Sequence, residues 1–133
     1  MVILKVAKEL MKGLEIVFFI HFILGLIIGF IFLFIPELYC DVVGVTITDK
    51  GAFRLVGAAS FSLGFSSFLA YRVKDWEKAK LFVQMELIWL ILASGTMFYW
   101  LIFEEGPVVG YWIFGMFLGF LIAFVYFYLQ QKK

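Results

Sequence analysis

His21 and Glu86 are the residues of this 133-residue chain whose types best suit chemistry in an apolar setting, because each lies inside a long hydrophobic run. His21 falls about seven residues into the first run and Glu86 about five into the third, so antiparallel runs bring them to similar depth. An imidazole beside a carboxylate can relay a proton near neutral pH or hold a polar headgroup; it can equally be an internal hydrogen bond that fixes helix order. Gln84 and Arg72 lie toward the same membrane side and complete a candidate intramembrane polar site of His21, Glu86, Gln84 and Arg72. Leaving such groups unpaired in hydrocarbon is costly, so each is expected either in a pair or snorkelling to the interface. On the opposite side Glu37, Arg54 and Glu104, with Glu105 and Asp41 or Asp49 nearby, make a candidate outer charge network. Arg54 is its sharpest member, since its guanidinium can snorkel outward or clamp a carboxylate or lipid phosphate through two hydrogen bonds.

Other reactive constellations are missing from the sequence. It has no Walker A glycine loop, no H-E-x-x-H, no serine nucleophile elbow and no C-x-x-C. Ser60, Ser62, Ser66 and Ser67 have no base at helical spacing and read as packing residues whose hydroxyls bond the preceding turn. Cys40, the single cysteine, has no basic helper and reads as a reduced thiol in a loop on the far side from His21. No metal, no other cofactor and no catalytic residue is therefore expected.

These polar residues must be positioned by elements of unusual composition. The hydrophobic set makes up 65% of the chain, charged residues 16%, and mean hydropathy is +1.05. A soluble domain averages roughly 45–50% apolar residues, and a chain this short has too little interior to hide the surplus. A soluble enzyme or nucleic-acid-binding domain is excluded on that ground, and a net charge of +1 advertises no polyanionic partner. The surplus forms four runs, Leu14 to Pro36, Gly51 to Tyr71, Leu81 to Phe103 and Pro107 to Leu129, each of 21 to 23 residues. At about 1.5 Å per residue each covers the roughly 30 Å hydrocarbon core. The expected fold is all-α: a polytopic membrane protein, an antiparallel four-transmembrane-helix bundle forming a single domain over 1–133.

A short interfacial segment, 1–13, precedes the first run, with Ile3, Val6, Ala7, Leu10 and Leu14 on one side and Lys5, Lys8, Glu9 and Lys12 on the other. The first run is too long for a signal-peptide core, lacks an A-x-A cleavage pattern, and is expected to stay in the protein. Basic residues gather at Lys5, Lys8 and Lys12, at Arg72, Lys74, Lys78 and Lys80, and at Lys132 and Lys133, against Lys50 and Arg54 elsewhere. That bias predicts a multi-pass cell-membrane protein with both termini in the cytoplasm. Pro36 should end the first helix, Asp49 cap the second, and Gly106-Pro107 turn the chain tightly between the third and fourth. Val42 to Thr48 reads as extended or dipping against the membrane surface, and Trp76 as part of a charged loop.

Small residues recur at helical spacing: Gly25 and Gly29 beside His21; Gly57, Ser60, Gly64, Ser67 and Ala70; and Gly115 with Gly119. Such ladders allow close helix packing, within one bundle or between copies. Membrane lipids, and a homo-oligomer or another membrane protein, are the expected partners; nucleic acid is not.

The segment GAFRLVGAASFSLGFSSFLAYRVKDWE, from Gly51 to Glu77, together with Pro36, Arg54, Gly57 and Gly64, resembles small four-helix membrane proteins of the DoxX-like assemblage. The resemblance implies fold rather than activity, and none of the assemblage's redox or quinone residues carries over to this sequence. Glu15, a carboxylate in the first of four spans, resembles the embedded glutamate of small multidrug-resistance transporters, although it stands at the edge of its span without that family's surrounding pattern. The reading is a small integral membrane protein with an accessory, assembly or lipid-interaction role. Its alternative is a proton-coupled small-molecule transporter acting as a homo-oligomer.

Overall fold

The computed structural model describes residues 8–133. Ile3, Lys5, Val6 and Ala7 of the amphipathic lead-in lie outside the described residues. Five helices follow one another: α1 over Lys12–Phe34, α2 over Pro36–Val43, α3 over Lys50–Val73, α4 over Trp76–Phe103 and α5 over Val108–Lys132. The protein is a multi-pass membrane bundle in which α1, α3, α4 and α5, of 23, 24, 28 and 25 residues, are the spanning helices. Their outward faces are apolar as well, with Ile27, Leu55, Ile88 and Ile122 all exposed, as suits a bundle solvated by hydrocarbon.

Local chemistry sets the helix limits. Ile35 breaks α1 at φ −133° and ψ 46°, and Pro36, whose ring fixes φ and whose missing N–H costs nothing in a first turn, starts α2 at once. Part of the first loop is therefore helical. α2 ends at Gly44 with φ 71°, a left-handed geometry that glycine adopts freely, and the irregular chain is confined to 44–49. Asp49 caps α3, its Oδ1 accepting from Gly51 N at 2.8 Å and Ala52 N at 3.2 Å. α4 starts at Trp76, five residues ahead of the apolar run that begins at Leu81. The cause is a very tight reversal: Lys74 is left-handed at φ 56° and Asp75 Oδ1 caps Glu77 N at 2.9 Å. Lys78 and Lys80 thus sit on the first turns of α4, and Trp76, read from sequence as a loop residue, is buried with its ring 5.6 Å from that of Tyr128.

The spanning helices form a ring in which α1 packs on α3, α3 on α4, α4 on α5 and α5 back on α1. α1 and α3 meet most closely, through the glycine ladders. A Cβ added to Gly25 would lie 2.7 Å from Gly64 Cα, one on Gly29 2.6 Å from Phe61 N, and one on Gly57 2.5 Å from Leu33 N. The backbones touch where side chains would otherwise stand. At the centre of the ring Leu14, Phe18, Val83, Leu90 and Phe124 are fully buried.

A clasp closes the end of the bundle where α1 begins and α5 ends. Leu10 N donates to Lys74 O at 3.1 Å and Trp76 N to Lys8 O at 2.9 Å, pairing the entry to α1 with the α3–α4 reversal. Gln131, buried near the end of α5, accepts from Met11 N at 2.6 Å through Oε1 and donates through Nε2 to Glu9 O at 3.1 Å. Lys8 Nζ donates to the Gln131 carbonyl, and Lys74 Nζ to Glu15 Oε2 at 2.8 Å.

Candidate functional site

The close α1–α3 contact has a consequence for side chains one turn away. Because the helices are antiparallel and Gly25 faces Gly64, stepping back one turn on α1 to His21 is stepping forward one turn on α3 to Ser67. His21 Nδ1 lies 2.8 Å from Ser67 Oγ. α4 brings Glu86 to the same level, where Ser67 Oγ donates to Glu86 Oε1 at 3.2 Å. His21 Nε2 and Glu86 Oε2 face each other at 3.6 Å, within ion-pair reach and beyond hydrogen-bond length. α5 supplies the lid, with Phe120 and Phe124 edge-on to the imidazole at centroid distances of 4.9 and 5.9 Å and Phe18 against Phe124 at 5.3 Å.

All four spanning helices thus contribute to one polar cluster in an aromatic surround. Ser67 and Glu86 are 0% exposed and His21 8%, so the cluster is sealed from lipid and water alike. Glu86 Oε2 is fully buried and has no hydrogen-bond partner. An unsatisfied carboxylate oxygen costs free energy in such a place, which marks this atom as the focus of the cluster.

Of the four intramembrane residues singled out from sequence, His21 and Glu86 come together and the other two stand apart. Gln84 faces away, its Nε2 donating to Tyr128 Oη at 3.3 Å. Arg72 is exposed, with its guanidinium carbon 5.7 Å from the Phe68 ring centroid. Ser67 is the member that sequence reasoning placed among packing residues. The signal for it was present: it continues the Gly57–Gly64 ladder, and a ladder that packs on Gly25 and Gly29 puts Ser67 opposite His21.

At the far end Glu37 Oε1 lies 3.0 Å from Lys50 Nζ and 3.8 Å from Arg54 Nη2, each side chain roughly half exposed. Lys50, the first residue of α3, is the nearer cation, and Arg54 stands one turn further along that helix. Glu104 stands exposed at the end of α4, where its backbone N–H donates to Trp100 O at 3.2 Å. Hydrogen bonding at the N-terminus of α2, then the Lys50 contact, hold the Glu37 carboxyl below the usual carboxylate range. Cys40 is a buried thiol inside α2. Glu15 pairs with Lys74 at 2.8 Å and Lys12 at 3.4 Å at the end where α1 begins. Among the described residues, no three His, Cys, Asp or Glu side chains converge as a metal-holding group.

No protein-family model matches this chain, and no curated protein or solved structure matches it.

Proposed function

We propose that this protein acts by contact within the membrane, as an accessory, assembly or lipid-interaction bundle, with both termini in the cytoplasm. The observation that carries the reading is the unequal use of its glycines. Gly25, Gly29, Gly57 and Gly64 are consumed in packing α1 on α3, while Cβ atoms added to Gly95, Gly115 or Gly119 would meet nothing within 4 Å. Gly115 and Gly119 border a shallow groove of about 290 Å³ between α5 and α1, lined with Val17, Ile20, Met116, Phe120 and Ala123. Small residues on an outward helix face permit close approach by another membrane helix or a lipid chain. The orientation is supported by Lys8, Lys12, Arg72, Lys74, Lys78, Lys80, Lys132 and Lys133 at the end with the termini, against Lys50 and Arg54 at the other. The likeness to DoxX-like bundles fits this reading through Gly57 and Gly64, whose part is packing.

The test is the oligomeric state of the full chain in lipid nanodiscs by native mass spectrometry, with bound lipid retained. Association of copies or tightly held lipid that is lost in Gly115→Leu and Gly119→Leu, with helicity and thermal stability kept, supports contact through α5. A lipid-free monomer whose mass spectrum is the same in wild type and both variants overturns it.

The second reading, a proton-coupled small-molecule transporter acting as a homo-oligomer, draws on the buried Glu86 and His21. It is tested in proteoliposomes: a pH gradient must drive substrate uptake that Glu86→Gln abolishes.

A further inference from the structure

We propose that the His21–Ser67–Glu86 cluster is a binding site for one proton, shared between His21 Nε2 and Glu86 Oε2, and that this proton fastens the α1–α3 pair to the α4–α5 pair. The argument is a count of hydrogens. The three side chains form a closed ring of three contacts: Nδ1 to Oγ at 2.8 Å, Oγ to Oε1 at 3.2 Å, and Oε2 to Nε2 at 3.6 Å. Each contact needs one hydrogen to be attractive, because two lone pairs facing each other repel. Ser67 supplies one and a neutral imidazole supplies one. The third contact is therefore empty unless the ring takes up one more proton, and that contact is the one where Glu86 Oε2 lies buried without a partner.

With the added proton every atom is satisfied in either direction around the ring. If Ser67 donates to Glu86 Oε1, then Nδ1–H donates to Oγ and the extra proton sits between Nε2 and Oε2. If Glu86 donates to Ser67 and Ser67 to Nδ1, then Nε2–H donates to Oε2. Both arrangements hold the same number of protons, so the stoichiometry does not depend on the tautomer. A second added proton would set donor against donor. Closing the 3.6 Å gap by about 0.7 Å, a small side-chain adjustment, brings the third contact to ordinary hydrogen-bond length.

The surroundings leave the ring to settle its own charge. From α1 and α5 it meets Phe18, Phe120 and Phe124; on α3 Ser66 Oγ, the second hydroxyl beside the Glu86 carboxyl, is turned back to Leu63 O at 2.8 Å and so supplies no hydrogen to the ring. On α4 Gln84 is engaged with Tyr128, and Glu15 and Lys74 pair with each other near the membrane boundary. Among the described residues, His21 is the ionisable group in ion-pair contact with Glu86. The location gives the proton its structural role. His21 and Ser67 belong to the closely packed α1–α3 pair, while Glu86 belongs to α4, so the ring bridges the seam between pairs. This inference does not depend on any partner bound at α5.

His21 is the sole histidine, so labelling the full chain with 15N-histidine in nanodiscs reports on this ring without assignment. The titration is followed by the imidazole 15N signals and by the infrared bands of the carboxyl group, identified as those absent from Glu86→Gln. The expected result is one shared midpoint at which both groups change together with loss of a single proton. Wherever the native ring keeps its proton and the unfolded chain has released it, the folding equilibrium should fall about tenfold per pH unit, a slope missing from Glu86→Gln. Ser67→Thr, which keeps the hydroxyl, should retain the midpoint, and Ser67→Ala, which opens the ring at Nδ1 and Oε1, should move it while both groups still change together. Independent midpoints in the wild type, with the imidazole titrating as though alone, overturn the proposal.

Discussion

Helices α1 and α3 meet through their backbones, whereas α4 and α5 meet through their side chains. In the first pair Gly25 stands against Gly64, Gly29 against Phe61 and Gly57 against Leu33. In the second, Trp89 packs edge-on to Phe117 at 6.3 Å, Phe98 lies 6.2 Å from Phe114, and the one close glycine, Gly110, faces the flexible ends of Leu101, Trp100 and Met97. Both pairs carry glycines four apart, so spacing alone does not decide their use. What decides is the facing surface: a ladder meets a ladder between α1 and α3, while bulky aromatics hold α4 and α5 apart and leave Gly115 and Gly119 on the outside.

The sharpest way to break this contrast is to add the same atoms to both pairs. Gly57→Ala places its Cβ against the main chain at Leu33, which cannot swing aside, and is expected to cost about 3 kcal/mol, the upper part of the range for overpacking. Gly115→Ala and Gly119→Ala enter open space and should stay within about 0.5 kcal/mol of wild type. Unfolding in mixed micelles measures both. Equal losses in the two sets would mean that the ladders are not distinguished by what they face.

A smaller effect is expected at the seam between the pairs, where few polar contacts act. The Gln131 side chain, through its two hydrogen bonds to the backbone of residues 9 and 11, ties the end of α5 to the entry of α1. Gln131→Leu should cost about 1–2 kcal/mol by stranding those backbone groups, and amide exchange at Met11 should rise correspondingly. If exchange at Met11 is unchanged while the whole bundle loosens, the clasp is not a local fastening.

The sequence made the four spans legible because hydropathy over about twenty residues is a signal that no soluble fold produces. It also brought out His21 and Glu86, since ionisable groups in such runs are rare. Ser67 was hidden because a serine in a spanning helix usually bonds its own backbone, as Ser62 does to Ala58 O at 2.8 Å. Finding it required knowing which ladder faces which, a tertiary fact. Gln131 was equally silent, because its partners are backbone groups far away in the chain. Trp76 was misread through its charged neighbours, which point outward from a turn of helix that buries the indole.

The smallest effect lies where the first pair is extended by α2. Glu37 joins α2 to α3 through Lys50 at 3.0 Å and Arg54 at 3.8 Å, on a surface open to water and salt. Its carboxyl is held below the ordinary range first by hydrogen bonding at the N-terminus of α2 and then by Lys50. A carboxyl lowered on folding contributes stability that is present at neutral pH and lost as pH falls through its lowered value. The melting temperature of wild type, minus that of Glu37→Gln, should therefore be slightly positive at neutral pH and shrink to nothing below the ordinary carboxylate range. Because exposed pairs are screened, raising the salt concentration should erase the smaller share due to Lys50 and Arg54 and leave the larger share due to the N-terminus of α2. A difference that vanishes in high salt would assign Glu37 to its cations rather than to capping α2.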